Sequence, residues 1–336
     1  MSMLAYVLES YGDANHAVMR QQPAPEPGAG EILVQVRAVG LNPVDFKIRQ
    51  GKPRAVLKSR LPIVMGNELA GEVVGVGANA AKFAIGDRVY ARVAKGRLGA
   101  FAELACVDEK DAARMPLSLD FSSAAAVPLA GLTALQVLRN ELRVKSGQKV
   151  FISGGAGGVG TFAIQLAKWL GADVTTTASP RGEALVRSLG ADRVVDYTSQ
   201  AFQDVLQGFD SGFDLIGGDT LDKMFSIVKR GGKVVSVAGV PEPQMALKDL
   251  GGRRLLAVAL WFMSFRIRAM ARRAGVAYRY LFMRPSGDDL ALLADLIDQG
   301  KLKVIVDKTF PFAEIADAMA YLEGGRAKGK VVARLP

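Results

Sequence analysis

The sequence predicts an α/β protein in which a doubly wound parallel sheet follows a β-rich domain. Three observations predict it. From residue 1 to about 121, short runs of alternating polarity ("EILVQVRAVG", "LAGEVVGVG", "DRVYARV", "AFAELACV") are punctuated by Gly and Pro, as in a small antiparallel β domain. From Ala124 onward strand and helix candidates alternate, which builds right-handed βαβ units and a parallel sheet. Between one such strand and its helix stands a burst of glycines, "KVFISGGAGGVG".

Length and composition bound the answer. At roughly 100–200 residues per domain, 336 residues suggest two domains. Half the residues are hydrophobic and 23% charged, the balance of a globular protein with a large core. One cysteine, Cys106, and one histidine, His16, exclude a disulfide framework and a zinc site built from three or four His/Cys ligands. Cys106 in "ELACV" reads as a buried strand residue and His16 as an ordinary surface or strand residue. The start, "MSMLAYVLESYG", has neither the charged nor the apolar region of a signal peptide, so a cytoplasmic protein is expected.

The parallel domain reads in order. "SAAAVPLAGLTALQVLRNEL" is helical. Strands are expected at 149–153, 173–178, 193–197, 213–217 and 233–237, with helices at 159–170, 182–189 and 221–229 between them. "SGDDLALLADLIDQGK" is a helix that Ser286, three residues before Asp289, is placed to cap. A helix and a final strand follow in "KTFPFAEIADAMAYLEGGRAKGKVVARLP".

Gly155-Ala156-Gly157-Gly158-Val159-Gly160 fits G-x-G-x-x-G. The motif alone is weak, since glycine-rich turns are common. Its context is specific: a strand precedes it, Val159, Ala163, Leu166, Ala167 and Leu170 share one helical face after it, and Gly171 supplies the stop. The first glycine permits the turn, the second lets backbone approach a pyrophosphate, and the third lets helix pack on strand. This is a dinucleotide site. NAD enzymes place Asp or Glu about 20 residues on, to hold the ribose 2′-OH. Here the second strand ends in Ser179-Pro180-Arg181, and a hydroxyl and a guanidinium attract the 2′-phosphate that a carboxylate repels. Tyr197, ending the third strand, offers another donor, so NADP(H) is favoured. An ordinary solvated helix-start arginine is the bland alternative for Arg181.

Several stretches together resemble the medium-chain dehydrogenase/reductase superfamily, in its zinc-independent quinone oxidoreductase and enone reductase branch. They are "GLNPVDFKIRQG" (40–51), "PIVMGNELAGEVVGVG" (62–77), "GDRVYA" (86–91), "AAAVPLAGLTAL" (124–135), "GGAGGVG" (154–160), "SLGADRVVDY" (188–197) and "GRAKGKVV" (325–332). The resemblance implies a GroES-like domain from residues 1–124 completed by 307–336, around a Rossmann domain at 125–306. It also implies a cofactor in the cleft between them and a dimer or tetramer, of which a homodimer is expected. Zinc-dependent relatives carry Cys where "LNPVD" stands and His in G-H-E; here Asn42 and Asp45 occupy the first region and Gly66-Asn67-Glu68 the second. Without a Lewis acid, alcohol oxidation is disfavoured, whereas a conjugated acceptor is already electrophilic. The family's loop beside the nicotinamide ribose nominates Asn42, Asp45 and Lys47, with the Lys47 ammonium as a candidate stabiliser of a developing oxyanion, or else a solvent-facing lysine. Thr133 and Lys328 match residues near the cofactor, the backbone of Ala238, Gly239 and Val240 would meet the carboxamide, and Glu68 reads as structural.

The least family-like stretch is an Arg-rich insert at about 248–284. It sets nine Lys/Arg against Asp249 alone, a local +8 out of the chain's +10. Its apolar core, Leu255 to Phe265, is about half the ~20 residues that span a bilayer. A cap beside the nicotinamide and a subunit contact is the leading expectation, with Trp261 and Phe262 lining the pocket or the interface and "VAYRYLFM" as an edge strand. An anionic membrane surface is second, and nucleic acid, without a stacking pattern, is unlikely. The expected activity is NADPH-dependent hydride transfer to a quinone or α,β-unsaturated ketone. The alternative is a nucleotide-binding protein whose basic insert grips RNA or a membrane.

Overall fold

The computed structural model describes residues 2–52, 60–94 and 96–336. The chain forms two compact units, Met1–Leu132 with Pro285–Pro336, and Thr133–Arg284.

The first unit is built from β1 (Ser2–Leu8), β2 (Ala17–Pro23), β3 (Glu31–Leu41), β4 (Ile63–Val64), β5 (Glu68–Val76), β6 (Arg88–Arg92), β7 (Leu104–Asp108) and β8 (Ala112–Arg114). A three-stranded sheet runs β2-β1-β4 and pairs antiparallel throughout. The alternation in β3 sends Ile32, Val34 and Val36 into the core, where they meet Leu69, Val73, Val89 and Phe101. Helix α1 (Pro43–Arg49) follows β3 at once, and α2 (Phe121–Ala125) and α3 (Pro128–Leu135) close the N-terminal part. Cys106 is buried in β7, and burial pushes its thiol pKa up.

The second unit is a six-stranded sheet whose pairings are all parallel. Its strands are β9 (Lys149–Ile152), β10 (Asp173–Ala178), β11 (Arg193–Asp196), β12 (Phe209–Asp214), β13 (Val228–Ser236) and β14 (Ala277–Tyr280), in the order β11-β10-β9-β12-β13-β14. Helices α4 (Gly158–Trp169), α5 (Pro180–Ser188), α6 (Phe202–Val205) and α7 (Gly218–Ile227) are the crossovers. The strand order reverses between β9 and β12, which opens a crevice at their carboxyl ends. β12 begins four residues before the expected 213, because "GFDSGFD" reads as a loop by composition. In the sheet Phe209 pairs with Val228, and both Phe209 and Phe213 are buried, so tertiary pairing overrides the Gly/Asp/Ser signal.

The insert folds as α8 (Arg254–Met263) and α9 (Phe265–Ala274) before the edge strand β14. Then come α10 (Gly287–Asp298), β15 (Val306–Pro311), α11 (Ile315–Glu323) and β16 (Lys330–Arg334). β15 and β16 join the larger sheet of the first unit, which runs β15-β16-β3-β5-β6-β8, with β7 also paired to β3. Ser286 does cap α10, its hydroxyl accepting from the Asp289 N–H at 3.2 Å. The helix belongs to the first unit rather than to the parallel one. Tyr90 donates to the Leu290 carbonyl at 2.6 Å, and Gly287 packs on the backbone of Lys110 and Ala112. Periodicity shows that a helix has an apolar face, not which sheet it covers. The units therefore divide at 132/133 and 284/285, where 124/125 and 306/307 were expected.

Candidate active site

The glycine turn leaves the carboxyl end of β9. Gly154, one residue ahead of the motif, takes φ +70°, and its N–H donates to Thr177 Oγ1 at 2.9 Å. Two motif glycines are required by the protein itself. A Cβ on Gly155 would lie 2.3 Å from Thr176 Oγ1, and one on Gly160 only 2.4 Å from the Gly154 carbonyl oxygen. Gly157 differs: a Cβ there would meet nothing nearer than the Gly154 oxygen at 3.4 Å, an ordinary contact. The fold does not demand glycine at 157, so the demand fits a ligand that approaches the backbone. Gly157 is also the N-cap of α4, and no side chain caps that helix. Its first N–H groups and its dipole are available to an anion. Ala156, Gly158 and Val159 are partly exposed on the same turn.

Strand pairing brings the residues nominated for the 2′-phosphate to one rim. Ala178 of β10 lies beside Asp196 of β11, so Ser179 and Tyr197 leave the sheet at the same level. Ser179 is the N-cap of α5 but makes no side-chain cap bond, Arg181 sits exposed in the first turn, and Tyr197 is 61% exposed. Gly182 lets this turn approach the glycine loop, since a Cβ there would come within 3.0 Å of the Ala156 Cβ. The position directly after β10 is Ser179 rather than a carboxylate, Glu183 lies a turn further on and pairs with Arg187, and the glycine turn and this rim are compatible with NADP(H).

Sequence reasoning missed the post that holds the crevice, Asp214 at the end of β12. Its carboxylate, fully enclosed, accepts from Ser153 Oγ (3.2 Å), Ser236 Oγ (2.6 Å) and the N–H groups of Ile216 and Gly217. The ends of β9, β12 and β13 are thereby tied together. Ser236 Oγ in turn accepts from the N–H groups of Ala238 and Gly239, and Tyr278 donates to the Val240 carbonyl at 2.7 Å. The 238–240 loop is preorganised, with two of its amides committed inside the protein.

In the first unit the residues of "LNPVD" form a buried polar knot. Asp45 is fully buried and accepts from Asn67 Nδ2 at 2.5 Å and from the Asn42 N–H at 2.7 Å, fixing the start of α1. Burial pushes its carboxyl up to about 6, against the pull of those two hydrogen bonds. Asn42 donates to Glu68 Oε1 at 2.6 Å, and Glu68 Oε2 accepts from the Leu129 N–H at 2.6 Å. At the centre lies Lys330, 3% exposed, whose ammonium donates to Glu68 Oε1 (2.7 Å), Asn42 Oδ1 (2.5 Å) and the Leu41 carbonyl (3.0 Å). Burial also lowers the Arg92 guanidinium to about 10, with Asp45 next among the influences and opposing it. The polar atoms of Asn42 and Asp45, nominated beside the reacting groups, are engaged in hydrogen bonds inside the unit. Glu68, expected to be structural, is fully buried among these partners.

Lys47 ends on the exposed side of α1, where the surrounding chain and the neighbouring Lys52 hold its pKa below the ordinary value. Thr133 is enclosed in α3 and Lys328 is half-buried ahead of β16. His16 bonds Ser10 at the surface. Trp261 and Phe262, expected to line a pocket or an interface, are exposed in the single chain. Among the described residues no group of three His, Cys, Asp or Glu is placed to hold a metal ion, and no helix is long and apolar enough to cross a membrane.

Residues 28–117 match the alcohol dehydrogenase GroES-like domain and residues 189–332 the zinc-binding dehydrogenase model. The NADPH-dependent alkenal/one oxidoreductase of Arabidopsis thaliana is 37% identical, covering 98% of this chain and 79% of its own. The chain belongs to the medium-chain dehydrogenase/reductase superfamily, in its quinone and enone oxidoreductase branch. The chloroplast envelope quinone oxidoreductase homolog of Arabidopsis thaliana is 32% identical over 98% of both chains. Among solved structures, the quinone oxidoreductase from Coxiella burnetii superposes with a TM-score of 0.87 at 29% identity, covering all of both chains. This dehydrogenase/reductase thus keeps the superfamily's two domain types while carrying an ammonium, Lys330, among Asn42 and Glu68.

Proposed function

We propose that the protein is an NADPH-dependent reductase of quinones or α,β-unsaturated ketones that works without a metal. One observation carries the cofactor half. The uncapped α4 and the open backbone at Gly157 stand beside a rim of Ser179, Arg181 and Tyr197 that lacks the carboxylate an NAD site uses. The relatives named for NADPH, alkenals and quinones support the substrate half.

NADPH, when bound, supplies a hydride. The amides at the start of α4 hold its pyrophosphate and Arg181 holds the 2′-phosphate. The ordered 238–240 loop and enclosed Thr133 orient the nicotinamide end, and Lys328 contributes to cofactor binding. Asn42 and Asp45 fix α1, so that Lys47 presents a cation to the acceptor's oxygen. As charge develops on that oxygen the ammonium stabilises it. Water or a neighbouring group then protonates the product carbon. The proposed assembly is a homodimer, supported by the open edge of β14. The test is oxidation of NADPH that depends on added quinone or enone and survives exhaustive chelation. Cofactor binding without acceptor-dependent oxidation would make this a dinucleotide-binding protein instead.

A further inference from the structure

We propose that the outer surface of α8 and α9 docks reversibly on an anionic lipid bilayer. The two ten-residue helices meet at Ser264, which is wholly buried and donates to the Leu260 carbonyl at 2.6 Å. Their inner residues Ala257, Leu260, Ile267 and Ala271 are buried, so the pair is packed on its unit. The opposite side is apolar as well. Leu255 is 89% exposed, Phe262 68%, Phe265 62% and Val258 57%. Leu255, Val258 and Phe262 return to one face of α8, a stripe that runs to the joint at Ser264, where Phe265 opens α9. Trp261 and Met263 flank it, also exposed. A soluble surface rarely gathers so many large apolar groups without a use.

Charge selects the occupant. From residue 250 to 284 the chain has eight arginines and no acid. Arg254 lies at one end of the stripe and Arg272 and Arg273 beyond the other, all exposed and without an ion pair among the described residues. Arg268 stacks over Trp261 with 5.0 Å to the ring centroid, which places a cation on an amphipathic aromatic. An anionic bilayer offers both phases the surface needs, phosphate for the arginines and acyl chain for the stripe. A second copy pairing through this face would set one arginine-rich surface against another. A nucleic acid would answer the arginines and leave the stripe without an apolar phase. Each helix is about 15 Å long, half of what a span requires, so the contact lies in the interface.

The experiment is flotation of the full chain with phosphatidylcholine vesicles, with and without phosphatidylglycerol. The protein is expected to float with the anionic vesicles alone and to be released by salt. In a Trp169→Phe background, Trp261 emission should shift to the blue on binding. Leu255→Ser with Phe265→Ser, and separately Arg254→Glu with Arg273→Glu, should each weaken vesicle binding at least about tenfold. Far-UV circular dichroism and NADPH affinity should match the parent, since only exposed side chains change. The proposal is overturned if the parent fails to float, if neutral vesicles serve as well, or if both variants float like the parent. It is equally overturned if the parent ignores vesicles and the serine pair converts a dimer to a monomer by light scattering, which would assign the stripe to a second copy.

Discussion

Asp45 shows how a buried charge sets a measurable pH dependence. Folding raises its pKa from the ordinary 3.8 to about 6, so the folded state takes up the proton more readily than the unfolded chain. The stability the neutral acid brings is fully present below 3.8 and is lost as pH rises through about 6. The loss amounts to roughly 3 kcal/mol. Asp45→Asn retains an acceptor for the Asn42 N–H, so denaturant midpoints of the parent should fall between about pH 4 and pH 7 relative to the variant. Parallel profiles would remove this account of the knot. Arg181 is exposed, and its replacement by alanine should erase ~1–3 kcal/mol of preference for NADPH over NADH, read from the two dissociation constants. Lys47→Met should lower kcat roughly 10–100-fold while sparing NADPH affinity, with an unchanged kcat showing that Lys47 merely faces solvent. The residue that organises the knot was not legible. "GRAKGKVV" carries two lysines, and the resemblance pointed to Lys328; the lysine whose Nζ lies between Glu68 and Asn42 is Lys330, the first residue of β16. Strand onset depends on the partner β3, which local sequence does not contain.

At the scale of elements, the glycine turn separates what the fold needs from what the ligand needs. Gly160→Ala drives a methyl against the Gly154 carbonyl and should destabilise the second unit by about 1–3 kcal/mol, visible as a lower Tm. Gly157→Ala meets only an ordinary contact, so Tm should hold while NADPH affinity drops at least about tenfold. Equal effects of the two substitutions on Tm would mean that Gly157 is structural. This element was readable because strand, turn and helix are contiguous and each obeys a local rule. Asp214 was not. An aspartate at a strand end looks like a turn residue until Ser153 and Ser236, about 61 and 22 positions away, are brought against it. α8 was legible as amphipathic but not in its direction, because both of its faces carry apolar side chains.

For the whole molecule, the order of elements was visible and the allocation of one helix was not. α10 looked like the last helix of the parallel domain, yet Tyr90 and the backbone at Lys110 and Ala112 hold it to the β-rich unit. The relatives named for NADPH, alkenals and quinones point to hydride transfer to a conjugated carbon. The rim of Ser179, Arg181 and Tyr197 is the place proposed for the 2′-phosphate of the cofactor. The most direct measurement uses NADPH deuterated at the transferable position, a simple enone and chelator-treated protein, with the product analysed by mass spectrometry and NMR. One deuterium at the β-carbon, in amounts matching the NADPH oxidised, is the result expected. Product without deuterium at that carbon, or cofactor that binds and is never oxidised by any quinone or enone, would contradict the assignment.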